Sequence, residues 1–224
     1  MNYFRTLILL FLSSCLFAQA SKPNTYNSSK DADPKAKSIL KQVKDQLQID
    51  KGVVINFEFN YSPAETSPII QSGVAQLKGK KFNLELSEQT MISDGATLWT
   101  LLKKRKEVQI NDAADIRNDP MSPYQLLQIH DSPDFTYILA GDSKENGVIR
   151  DIIEFKPLDR NAEFFKIRAE IDRAKKQYRN ITLYLKTGDQ YSINIKSQLN
   201  KPIEDSTFTW DIKKNPGMKV EDLR

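Results

Sequence analysis

Residues 53–63 read Val-Val-Ile-Asn-Phe-Glu-Phe-Asn-Tyr-Ser-Pro. In an extended chain successive side chains point to opposite faces, so Val53, Ile55, Phe57, Phe59 and Tyr61 share one face and Val54, Asn56, Glu58 and Asn60 the other. The stretch predicts a strand buried on one side, with Ser62-Pro63 ending it. Working upstream, the period changes from two to between three and four. Asp33 stands as an N-cap before Pro34, and Ile39, Leu40, Val43 and Leu47 recur at helical spacing, which predicts an amphipathic helix from Pro34 to about Ile49. Working downstream, strand-like runs follow at short intervals: 69–77, 81–86, 89–93, 97–102, 106–110, 135–139, 148–155, 164–171, 178–185 and 191–199. Between them lie Gly79, Asp94-Gly95, Lys103-Lys104-Arg105-Lys106, Gly141-Asp142 and Thr187-Gly188-Asp189. Ser122-Pro123 opens a short mid-chain helix carrying Leu126, Leu127 and Ile129.

About ten or eleven strands joined mainly by short turns predict a mainly β (α+β) chain built on a single antiparallel sheet. Phe165, Ile167, Ala169 and Ile171 set against Lys166, Arg168, Glu170 and Asp172 repeat the one-sided pattern. An apolar sheet face needs a cover, and the sequence offers two helices for it. Either the sheet closes on itself and fills with side chains, or it stays partly open with an apolar concavity that accepts an apolar ligand; the pattern alone allows both.

The 224 residues include one His and one Cys, with 33 basic against 29 acidic side chains. His/Cys zinc sites, Cys-His nucleophile pairs and CxxC redox sites therefore lack their parts. The net charge of +4 is dispersed, without the concentrated basic face expected of a nucleic-acid binder. His130-Asp131-Ser132 contains the letters of a hydrolase triad, but three consecutive residues cannot form its relay. Gly73 to Lys81 misses the phosphate-loop spacing. Neither catalytic residue, metal nor cofactor is expected. Met1–Ala20 reads as a signal peptide: Arg5, an apolar run from Leu7 to Phe17, and the small-x-small site Ala18-Gln19-Ala20. Leu12-Ser13-Ser14-Cys15 also fits a lipobox, whose cysteine would be acylated. Residues 21–33 read as a flexible leader and 34–224 as one domain.

Ser93-Asp94-Gly95-Ala96-Thr97-Leu98-Trp99 resembles the S-D-G-x-x-L-W signature of the periplasmic outer-membrane lipoprotein carrier family, LolA. The N-terminal helix, the Gly73–Leu86 segment, Glu107–Ile110, the Ser-Pro helix and the run from Phe208 to Leu223 follow in that family's order. The resemblance implies an incomplete, half-open barrel whose concave face, lidded by helices, holds acyl chains. By it, Leu77, Phe82, Leu84 and Leu86 are interior, joined by Phe57 and Phe59 on the neighbouring strand. Trp99, Phe155, Phe165 and Ile167 complete the expected cavity, although Trp99 equally suits a packed core. Ile39, Val43, Leu47, Leu126, Leu127 and Ile129 are the expected lid. The sequence departs at Gly79, where well-studied members carry a lid-latching arginine.

The function implied is a monomeric periplasmic carrier, not an enzyme, that takes acylated lipoproteins from an inner-membrane ABC-type release transporter towards an outer-membrane acceptor. A related half-barrel sensor of lipid or lipoprotein, or a carrier of another amphiphile such as a glycolipid, would use the same fold. Burial of one CH₂ is worth about 0.8 kcal/mol, so an exposed long acyl chain costs on the order of 10 kcal/mol and needs an apolar container to cross water. Lys103–Lys106 would dock an acidic partner or anionic headgroups, or simply be a solvated hairpin tip.

Overall fold

The computed structural model describes residues 28, 31–114, 129 and 132–224. The expected signal peptide, most of the leader, the mid-chain helix with Leu126 and Leu127, and His130 lie outside the described residues. The helix is α1 (Pro34–Leu47). The strands are β1 (Val53–Ser62), β2 (Ile69–Lys78), β3 (Lys81–Leu86), β4 (Gln89–Ser93), β5 (Thr97–Leu102), β6 (Glu107–Asp112), β7 (Phe135–Glu145), β8 (Val148–Pro157), β9 (Phe164–Asp172), β10 (Gln177–Leu185), β11 (Gln190–Asn200) and β12 (Lys219–Asp222).

All twelve form one sheet in the order β12-β6-β5-β4-β3-β2-β1-β11-β10-β9-β8-β7. Every pairing is antiparallel except β12 on β6, which is parallel. The two edge strands do not pair with each other, so the sheet is an open, incomplete barrel. One strand more than expected is present: β12 had no apolar alternation to announce it. Apolar side chains from β1–β5 and β7–β11 nevertheless belong to one buried cluster, so the sheet curls until its halves share a core.

α1 lies against the inner face of that curl. Ala36, Leu40, Val43 and Leu47 are at most 1% exposed within the cluster. Each large apolar side chain buried in this way is worth about 1.5–3 kcal/mol, which outweighs the weak intrinsic stability of a four-turn helix. Asp33 caps it as the sequence predicted, its Oδ1 accepting from the Lys35 amide at 2.7 Å. Gln48 ends it in the left-handed region.

The outer face has two characters. Across β8–β10 it is polar, with ion pairs Arg150–Glu170 (3.0 Å), Lys166–Glu154 (3.1 Å) and Arg179–Asp172 (2.8 Å). Asp172 is nearly buried, and burial alone would push its carboxyl up. The Arg179 hydrogen bond and the Lys175 and Ala174 amides outweigh that and hold it below its ordinary value. Over β2 and β3 the outer face is crossed by residues 201–218, a strap joining β11 to β12. Lys78 Nζ donates to the Ile203 carbonyl and Asn83 Nδ2 to the Thr207 carbonyl, at 2.9 and 3.0 Å. Phe208 on this strap and Val108 on β6 are fully buried.

Candidate functional site

Cross-strand partners share a face, so register places each expected residue. Phe57 pairs with Gly73, Gly73 with Leu86, Leu77 with Phe82, and Leu84 with Met91. On the other half, Ile167 pairs with Phe155 and Leu183. Phe57, Leu77, Phe82, Leu84, Phe155 and Ile167 are all buried in the central cluster, with the half-buried Phe59 and Leu86 packed against it. The structure therefore brings eight of the expected cavity residues to one surface.

Two belong elsewhere. Trp99 pairs with Ile92 and Ile110, and Ile92 with Asn83, the residue that bonds the strap, so Trp99 is on the outer face. Its neighbour Leu98, paired with Ser93, is the one turned inward. Phe165 is 52% exposed, while Phe164 is buried. A register irregularity opposite Tyr184/Leu185 pairs Leu185 with Phe164 and Tyr184 with Lys166. Phe165 is the extra residue of that bulge and is expelled outward. There it packs against Tyr184 at 6.1 Å, and Phe164 instead stacks inside on Phe135 at 6.0 Å.

Of the lid, Val43 and Leu47 are fully buried, Ile39 packs at the cluster's margin, and Ile129 is 3% exposed within it. Hydrogen bonds hold α1 at both ends. The Asp33 amide donates to the Tyr137 carbonyl at 3.0 Å, and Asp33 Oδ2 accepts from the Leu139 amide at 3.2 Å. At the far end Asn200 Nδ2 donates to the Gln46 carbonyl at 2.7 Å, and the Gly79 amide to the Ile49 carbonyl at 3.1 Å. Gly79, in the left-handed region at φ 58°, thus binds the helix exit through its backbone. The side chain of Lys78 turns away to the strap, meeting Asp205 at 2.9 Å.

The Asp33 bonds anchor the helix on β7, while the Asn200–Gln46 and Gly79–Ile49 bonds close the inner face at the β2–β3 turn. The opposite end differs: Phe59, Leu86, Leu185 and Tyr191 are only partly buried, and Ile69 on the same face is 52% exposed. Tyr191 stacks between Phe59 (5.9 Å) and Tyr61 (4.8 Å), forming an aromatic wall. The Tyr61 hydroxyl donates to Asp189 at 3.1 Å, and that hydrogen bond pushes its pKa up. Met91, Phe164 and Tyr191 were not among the expected lining residues. The pairing of Met91 with Leu84 across the β3–β4 hairpin was the available signal for the first.

The Ser-Asp-Gly motif serves the architecture rather than the lining. Asp94 Oδ1 accepts from the Ala96 and Thr97 amides at 2.8 Å, Ser93 Oγ accepts from the Gly95 amide at 3.1 Å, and Gly95 adopts φ 96°. It closes the β4–β5 hairpin and so fixes which of Leu98 and Trp99 faces inward. Among the described residues no group of three His, Cys, Asp or Glu side chains is placed to hold a metal ion.

No curated protein matches the chain. A Thermus thermophilus protein described only as an uncharacterized conserved protein superimposes with a TM-score of 0.56 at 9% identity, over 84% of this chain and 99% of that one. The LolA superfamily protein NE2245 from Nitrosomonas europaea gives 0.45 at 12% identity, over 79% and 98%. The Mycobacterium tuberculosis lipoprotein LppX gives 0.45 at 11%, over 77% and 99%. The first of these shows a shared fold. Residues 70–211, from the start of β2 into the strap, match the family model described as outer membrane lipoprotein carrier protein LolA. With most of its sheet inside that match, the chain belongs to the LolA family.

Proposed function

We propose that this protein is a non-enzymatic carrier of the cell envelope that binds the acyl chains of lipoproteins along the inner face of its sheet. The observation that supports this reading is a continuous apolar inner face packed under α1, held at the β2–β3 end by hydrogen bonds to the helix exit and bordered at the other by half-buried Phe59, Leu86, Leu185 and Tyr191, in a member of this family; it becomes a trough when α1 moves aside. An acyl chain passing that border meets the apolar and aromatic side chains of the central cluster, and α1 is the movable cover. The carrier acts as a monomer in the periplasm, loading from an inner-membrane ABC-type release transporter and delivering to an acceptor at the outer membrane.

The test is binding of a triacylated lipopeptide to purified protein, followed by displacement of a fluorescent fatty acid. Leu84 lines the trough, so Leu84→Glu is expected to lower affinity at least tenfold while far-ultraviolet circular dichroism and cooperative unfolding are retained. Loss of folding and binding in parallel would mark the inner face as a filled core and overturn the reading.

A further inference from the structure

At the open end of the trough the inner face changes from apolar to basic. Gln89 pairs with Leu102, Met91 with Thr100 and Thr100 with Gln109, so Gln89, Leu102 and Gln109 continue the surface that carries Leu84 and Met91. With Glu88, Lys104 and Arg105 they line a notch of about 340 Å³ at the tips of the β3–β4 and β5–β6 hairpins. Its charges are unequally committed. Lys103 Nζ is tied to the Leu86 carbonyl at 2.7 Å and reaches Glu85 at 3.4 Å, and Lys104 pairs with Glu88 at 2.8 Å. Glu107, on the same face, accepts from Gln109 Nε2 at 3.1 Å and has Lys219 at 3.9 Å. Arg105 is exposed, with no carboxylate partner among the described residues.

We infer that this notch receives the phosphate-bearing headgroup of an anionic amphiphile whose acyl chains occupy the trough. The inference rests on the proposed acyl-chain site. A guanidinium presents a planar fork matched to two phosphate oxygens, and an ammonium adds a point charge. The Gln89 and Gln109 amides supply neutral partners for glycerol or sugar hydroxyls. A neutral diacylglyceryl thioether makes no demand for such cations, so the notch extends the cargo beyond lipoproteins to phospholipids of negative charge.

Dioctanoyl phosphatidylglycerol and dioctanoyl phosphatidylcholine share their chains and differ in net charge, so calorimetric titration of both below their micelle concentrations separates head from tail. The wild type is expected to prefer the anionic lipid by about tenfold at low salt. Lys104→Gln/Arg105→Gln is expected to abolish the preference by weakening phosphatidylglycerol more than phosphatidylcholine, whose phosphate is offset by its choline, whereas Leu84→Glu weakens both lipids alike. Equal binding of the two lipids by the wild type, or an unchanged preference in the double variant, overturns the headgroup site and leaves the trough standing. Absence of binding to either lipid and to a triacylated peptide overturns both. Glycerol phosphate without chains is the remaining arm: competition as strong as the lipid's would reduce the notch to a free-phosphate site and overturn the amphiphile assignment.

Discussion

Gly73 is where Phe57 and Leu86 close over β2. A Cβ there would stand 2.5 Å from Phe57 Cζ and 2.8 Å from Leu86 Cδ2, distances that force both side chains away. Gly73→Ala is expected to destabilise by about 1–2 kcal/mol, the overpacking cost exceeding the entropy gained in the unfolded chain. A lower urea midpoint at unchanged slope is the check. Asp33 does more than cap α1, since it also occupies two backbone groups of β7. Asp33→Ala should cost about 1–2 kcal/mol and accelerate exchange of the Leu139 amide specifically, which amide-resolved hydrogen exchange reads. This scale is also where the sequence misleads. Leu98-Trp99 and Phe164-Phe165 are pairs of adjacent large apolar residues, and alternation assigns one of each pair inward without saying which. A hairpin turn decides the first pair and a bulge the second. Phe57, Leu84 and Ile167, flanked by polar neighbours, carried no such ambiguity and lie where their pattern predicted.

Among the elements, those with one apolar face were legible nearly to the residue: α1 with its Asp33-Pro34 entry, β1, and the β3–β5 hairpins. β7 extends to Glu145, past its expected end near Leu139, because Gly141 to Glu145 lack apolar alternation and are held by pairing to β8. β12, Lys-Val-Glu-Asp, is likewise a strand through its partner β6. The strap's docking has an electrostatic component that can be tested. Asp205 accepts from Lys78 and Lys81, and those hydrogen bonds hold its carboxyl below its ordinary value of 3.8. A depressed carboxylate contributes stability that is present above its unfolded pKa and is lost as pH falls through the lower folded value. Below about pH 3.8 the strap should therefore loosen at its Asp205 anchor. Emission from Trp210 in a Trp99→Phe background is expected to change over that interval, and the change should be absent in Asp205→Asn.

For the whole molecule, the inner cluster and the outer strap bury opposite faces of the same strands. Ile92 and Val108 are 8% and 0% exposed, on the outer side of β4 and β6. Removing residues 201–224 should uncover that surface. Such a truncated chain is expected to bind a hydrophobic dye and to self-associate in sedimentation, whereas the full chain stays monomeric. The Arg150–Glu170 and Lys166–Glu154 pairs on the outer face are a different case, since partly exposed pairs of this kind each contribute about 0–1 kcal/mol, unlike the buried Asp172 with Arg179. Single neutralisations there should scarcely move the unfolding midpoint.

The strap and β12 follow every other strand in the chain, yet β12 completes an edge begun at Glu107. During synthesis, β1–β6 therefore emerge long before the segment that shields their outer side and covers the free edge of β6. A partly made chain that folded early would display both a greasy sheet face and an unpaired strand, the two features that most promote misassembly. Productive folding of the sheet should thus wait until the strap and β12 have been made.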